Sequence, residues 1–181
     1  YRFLNLEEER PFDSGADVLP GTTAVGSITK CFGCIGLRVG WVVGAVDLLK
    51  RCKVIKDYLT HVVSPLSEFV ATMLLENREA LTRYHTSNII ANRDALGALI
   101  DEFADVLEWR PPVGGAVCYP KFRRKIDIDG FCLDLVEREG VFVLPGSCFG
   151  DDDAFRVCLG VSQDGFGAAL SGMRRQLRSI A

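Results

Sequence analysis

The chain has 181 residues, 48% hydrophobic and 25% charged, the balance of one ordinary folded domain or two small ones and not of a disordered chain. A net charge of −3 and a pI near 5.4 exclude nucleic-acid or lipid binding by bulk charge. The longest apolar run, Val39 to Leu49, is too short to span a bilayer and is broken by glycines and Asp47. Seven cysteines, at 31, 34, 52, 118, 132, 148 and 158, are an odd number set in apolar segments. They predict buried thiols in a reducing compartment, the cytoplasm, and not a disulfide scaffold. No basic-apolar-small leader pattern opens the chain, and Tyr1-Arg-Phe-Leu reads as the middle of a longer protein.

In chain order, residues 1 to 24 alternate short apolar stretches with Pro11, Gly15, Pro20 and Gly21, predicting a strand end and irregular structure. Ala24 to Thr29 reads as a short buried strand running into Lys30, and Leu37 to Val43 as a second strand after the glycines at 33 and 36. From Val46 the period turns helical, with Leu49, Cys52 and Ile55 three residues apart. Ser64-Pro65 predicts an N-cap followed by proline at the first helical position, opening a helix with Leu66, Phe69, Val70, Met73 and Leu74 on one face. A long amphipathic helix follows, carrying Leu96, Leu99, Ile100, Phe103, Val106 and Leu107 and ended by Pro111-Pro112. Residues from about 113 read strand, helix, strand, strand, helix. Asp127 or Asp129 caps the first of these helices and Gly140 closes it; Phe166, Leu170, Met173, Leu177 and Ile180 mark the last.

Cys31-Phe-Gly-Cys34 has the gap of redox and zinc pairs, but zinc needs about four ligands, and neither His61 nor His85 has a fitting spacing. Two packed thiols, with no metal, are the better reading. Gly-x-Ser-x-Gly and Gly-Lys-Ser/Thr do not occur. Lys30 stands at a predicted strand end among Val25, Ile28 and Phe32. On spacing alone such a lysine is a solvated charge; partly buried beside other cations, it becomes a nucleophile for a carbonyl. Arg38 falls inside the apolar run Ile35-Gly-Leu-Arg-Val-Gly-Trp. A buried arginine there needs an anionic partner. Lysine, arginine and the hydroxyl of Ser27 around one glycine loop suit a phosphate plus an aldehyde.

The segment Gly26-Ser-Ile-Thr-Lys-Cys-Phe-Gly-Cys-Ile-Gly-Leu-Arg-Val-Gly-Trp resembles the lysine signature of class I/II aminotransferases, the fold-type-I pyridoxal-phosphate enzymes. The resemblance implies that Lys30 carries the cofactor covalently and that Ser27 and Arg38 bind its phosphate. Tyr1 looks like the tyrosine of the family's Asp-x-x-Tyr motif, whose phenol hydrogen-bonds the cofactor ring; the aspartate would precede residue 1. Lys56-Asp-Tyr and Ser64-Pro-Leu-Ser-Glu look like the segment entering the small domain. Leu144-Pro-Gly-Ser-Cys-Phe-Gly and Phe155-Arg-Val-Cys-Leu-Gly look like the family's paired C-terminal motifs, and Arg156 matches the arginine that holds the substrate carboxylate. Alternation alone leaves Arg156 on a solvated strand face; the resemblance favours the carboxylate role. Cys31 and Cys34 depart from the commoner small or apolar residues.

The fold so implied is α/β, the C-terminal part of a fold-type-I transferase. Residues 1–55 are expected to end the large cofactor domain, 56–112 to form connecting helices and 113–181 the small C-terminal domain. The implied activity, in a full-length homodimer, is amino-group transfer between an amino acid and a 2-oxo acid. A lyase, decarboxylase or cyclase on the same scaffold, or a non-catalytic regulator domain, is the alternative. The 181 residues alone are expected to be inactive, with no nucleic-acid or membrane partner.

Overall fold

A computed structural model describes residues 2–180, which form two compact units divided between His85 and Thr86. The Tyr1 assignment lies outside the described residues.

In the first unit, a helical turn α1 (Gly15–Val18) precedes strand β1 (Ala24–Ser27), helix α2 (Ile28–Phe32), a 3₁₀ turn (Ile35–Leu37) and strand β2 (Gly40–Val43). β1 and β2 pair antiparallel from Ala24↔Val43 to Ser27↔Gly40. The predicted strand Ala24 to Thr29 thus ends at Ser27, and the second strand begins at Gly40 rather than Leu37. Gly33 and Arg38 are both left-handed, with φ of 69° and 55°, so the chain coils between the strands. The hairpin is open, not buried: Val25 is 79% exposed. Close approach fixes its glycines, since a Cβ on Gly26 would run into the Trp41 ring and one on Gly40 would lie 2.8 Å from the Gly26 carbonyl.

Helices α3 (Val46–Leu59) and α4 (Pro65–Glu76) follow, with Ser64 as N-cap and Pro65 in the first turn as expected. Their apolar stripes are uncovered, however: α3 has no buried residue and α4 buries only Ala71. The unit boundary falls within α5 (Arg78–Glu102).

The second unit has a closed core. α5 contributes Ile89, Leu96, Leu99 and Ile100 and stops at Glu102, well short of Pro111. Phe103, Val106 and Leu107 are buried, but Phe103 and Val106 lie on a turn and Leu107 opens strand β3 (Leu107–Glu108). A step of three then one mimics a helical stripe, so the sequence pattern ran through this turn. Strands β4 (Val117–Cys118), β5 (Lys121–Phe122), β6 (Leu144–Pro145) and β7 (Phe155–Cys158) flank helices α6 (Ile128–Glu139) and α7 (Gln163–Arg178). β5 pairs with β3, and β4-β7-β6 make a three-stranded antiparallel sheet. Asp127 caps α6 by accepting from the Gly130 N–H at 3.0 Å, and Gly140 closes it at φ 65°. Phe122, Phe131 and Phe155 form a ring cluster with centroids 5.0 to 5.7 Å apart. The buried Asn92 donates to the Leu159 and Val161 carbonyls, both at 2.9 Å, satisfying backbone acceptors just beyond β7. Among the described residues no helix is long and apolar enough to cross a membrane.

Candidate active site

The β1–β2 connection sets up the first cluster. Ser27 and Gly40 form the closing pair, and the Ile28 N–H donates to the Val39 carbonyl at 3.3 Å. Residues 28 to 39 therefore start and finish at one place. Ser27, Lys30 and Arg38 consequently line a single open cleft of about 820 Å³. Two geometric expectations are corrected. Lys30 lies within α2 and is exposed, not at a buried strand end. Arg38 is exposed in a left-handed turn, not buried in a strand, and its Nη1 donates to the Ile35 carbonyl at 3.5 Å. Exposed, Arg38 needs no buried anionic partner; what joins it to Ser27 and Lys30 is the shared cleft.

Sequence reading missed Thr29, Trp41, Lys53 and Lys56, which line the same cleft. Lys53 and Lys56 reach the cleft from α3, a placement set by tertiary structure and not by local spacing. Among the described residues the cleft thus has two hydroxyls, Ser27 and Thr29, four cations, Lys30, Arg38, Lys53 and Lys56, and no carboxylate in its lining. That donor set fits a phosphate monoester. On the same helix as Lys30, Cys31 is buried, its Sγ 3.6 Å from the Ser27 carbonyl; burial pushes its thiol up.

In the second unit, Arg156 sits on β7 as alternation predicted. Phe155, Val157 and Leu159 are buried, Arg156 is half-buried and Cys158 is exposed. The register Cys118↔Val157 continues to the bridge Lys121↔Ala154, which puts Tyr119 opposite Arg156. Leu144 flanks Arg156 on the other side. The Arg156 Cζ lies 4.9 Å from the centre of the Phe149 ring, and Tyr119 meets that ring edge-on at 5.9 Å. The Tyr119 hydroxyl is buried with no hydrogen-bond partner among the described residues; burial first, then the nearby Asp151 charge, pushes the phenol up. Tyr119 and Phe149 also escaped the sequence reading, although the strand register, once known, identifies the first.

The chain matches the family Aminotransferase class I and II over residues 5–171. It is 30% identical over 176 residues to capreomycidine synthase of Streptomyces vinaceus, covering 97% of this chain and 43% of that one. Aspartate aminotransferase of Rhizobium meliloti is 27% identical over 168 residues, with 84% of this chain and 40% of that one covered. The crystal structure of the pyridoxal-phosphate-dependent cyclase OrfR superposes with a TM-score of 0.89 and 32% identity, across 99% of this chain and 49% of that chain. The chain therefore spans about half the length, or less, of these relatives. It has the α/β fold of fold-type-I pyridoxal-phosphate enzymes, and pyridoxal 5'-phosphate is the cofactor its relatives imply. The chain belongs to the aminotransferase class I and II family.

Proposed function

We propose that this chain serves a pyridoxal-phosphate-dependent aminotransferase that exchanges an amino group between an amino acid and a 2-oxo acid. In this reading residues 1–55 end the cofactor domain, 56–112 connect, and 113–181 form the small domain of a cytoplasmic homodimer. The observation that carries it is the convergence of Ser27, Lys30 and Arg38 on one cationic cleft. Bound there, pyridoxal phosphate supplies an electron sink that acidifies the substrate Cα–H. Ser27 Oγ and the Arg38 guanidinium would hold the phosphate, and by the family resemblance Tyr1 would hold the ring hydroxyl. Lys30 would anchor the cofactor through Nζ, and the same amine would serve as general base for the Cα proton and then as general acid, delivering it in the 1,3-shift that amino-group transfer requires. Arg156 pairs with both oxygens of the α-carboxylate and so fixes how the Cα–H bond is turned.

A second reading, cyclisation of an amino acid on the same scaffold, is favoured by the likeness to capreomycidine synthase and to the cyclase OrfR. Both readings share Lys30. Borohydride reduction of the full-length holoenzyme followed by peptide mapping is expected to place the label on residue 30. A label on Lys50 or Lys53 would overturn the assignment. Transamination consumes the 2-oxo acid mole for mole with the amino donor. Cyclisation leaves it untouched, so that assay separates the two reactions.

A further inference from the structure

Among the described residues the Arg156 guanidinium makes no ion pair and no side-chain hydrogen bond; it lies over the face of Phe149, 4.9 Å from Cζ to ring centre. An arginine with a free fork has several rotamers of similar energy. Something has to choose one of them if it is to meet a carboxylate at a fixed angle. Resting on the reading of Arg156 as the carboxylate group, we propose that Phe149 is the positioning residue that aims its guanidinium, with Tyr119 buttressing the ring.

Three features support this. First, a cation over an aromatic face is held by the ring quadrupole, while the guanidinium N–H groups, lying in their own plane, stay free for a carboxylate. Second, the ring itself is braced. Tyr119 lies in the link between β4 and β5, where the register carried on from Cys118↔Val157 to Lys121↔Ala154 sets it opposite Arg156, and it packs edge-on against Phe149 at 77°, the arrangement aromatic quadrupoles favour. Third, the loop that presents Phe149 is pinned at both ends. Gly146 donates to the Ala154 carbonyl at 2.7 Å and accepts from the Asp151 N–H at 3.0 Å, an approach too close for any Cβ. Gly150 turns the chain at φ 79°. Lys121 binds Asp151 at 2.5 Å, and Ser147 Oγ donates to Asp129 at 2.7 Å. Phe149 is nevertheless 52% exposed, so the core does not account for its position.

The test uses the full-length holoenzyme and the common amino acid that binds it most tightly by absorbance titration, alongside the matching amino-acid amide. The amide lacks the charge Arg156 would grip. The parent is expected to prefer the acid, and Arg156→Lys to lose about tenfold or more of that preference. Phe149→Leu is expected to raise the acid's dissociation constant and KM by about three- to tenfold, with the amide's binding nearly unchanged. Phe149→Tyr, which keeps a ring face, is expected to restore the parental values, and Phe149→Met serves if the leucine variant does not fold. Parental acid binding in Phe149→Leu or Phe149→Met, together with a loss in Arg156→Lys, would overturn the positioning role and leave the carboxylate role standing. No acid preference in the parent, or none lost in Arg156→Lys, would overturn the carboxylate role itself.

Discussion

Cys118 and Cys132 are buried, and burial pushes both thiols up to about 12. The cost is that of placing a thiolate in apolar surroundings. At pH 8 both remain protonated and shielded. Cys52, Cys148 and Cys158 are exposed, so iodoacetamide on the native chain is expected to label these three and spare Cys118 and Cys132 until denaturant is added. Mass mapping of the labelled peptides checks this; early label on Cys118 would contradict its burial. The sequence grouped all seven cysteines as buried because each has apolar neighbours along the chain. That argument holds where a neighbouring element covers the residue, as for Cys31, and fails on the open face of α3, where Cys52 sits. Lys30 and Arg38 teach the same lesson. Their residue types and spacing were legible as a phosphate-and-aldehyde pair, but their burial was not, because Gly33 and a left-handed Arg38 turn the expected strand into a coil.

At the scale of elements, legibility followed punctuation. Asp127 and Gly140 bracket α6, and Ser64-Pro65 opens α4, where side-chain chemistry and fixed dihedrals act locally. The end of α5 was not legible, because only pairing of β3 with β5 separates the buried turn from another helical step. The ties between elements also make a pH prediction. The Lys121 hydrogen bond holds the Asp151 carboxyl below its ordinary 3.8. The Glu102 carboxyl is held below 4.5, chiefly by Arg174 at 2.7 Å, with Arg178 at 3.0 Å adding to it. Both pKa values are depressed on folding. The stability they contribute is therefore present above 3.8 and 4.5 and lost as pH falls through the lower folded values. Both pairs face water, which keeps the effect modest and salt-sensitive. Thermal melts from pH 6 downward are expected to fall less steeply below about pH 4.5 in Asp151→Asn/Glu102→Gln than in the parent. Parallel curves would show that other carboxylates carry the acid response.

The two units differ as wholes. The second is closed around α5, β7 and α7, with Leu96, Leu99, Phe155, Leu159 and Leu177 fully buried. The first presents a two-stranded sheet, a construction marginal in water by itself, and helices whose apolar residues face outward; Tyr58 on α3 is 90% exposed. Burial of apolar surface is the main source of protection against opening. In the 181-residue chain by itself, amides of β7 and α7 are therefore expected to exchange slowest, and those of α3, α4 and the β1–β2 connection to exchange at least about 100-fold faster, a gap of roughly 2.7 kcal/mol or more in opening free energy. The consequence reaches function, because Lys30 and Arg38 lie on that connection. A cleft borne by a readily opening hairpin binds its ligand only in the fraction of time it is formed. The same chain is thus expected to bind pyridoxal phosphate far more weakly than the full-length protein, read by absorbance on titration. Uniform slow exchange across α3 and α7, with tight cofactor binding by the chain alone, would show instead that the first unit is stable with its apolar faces open.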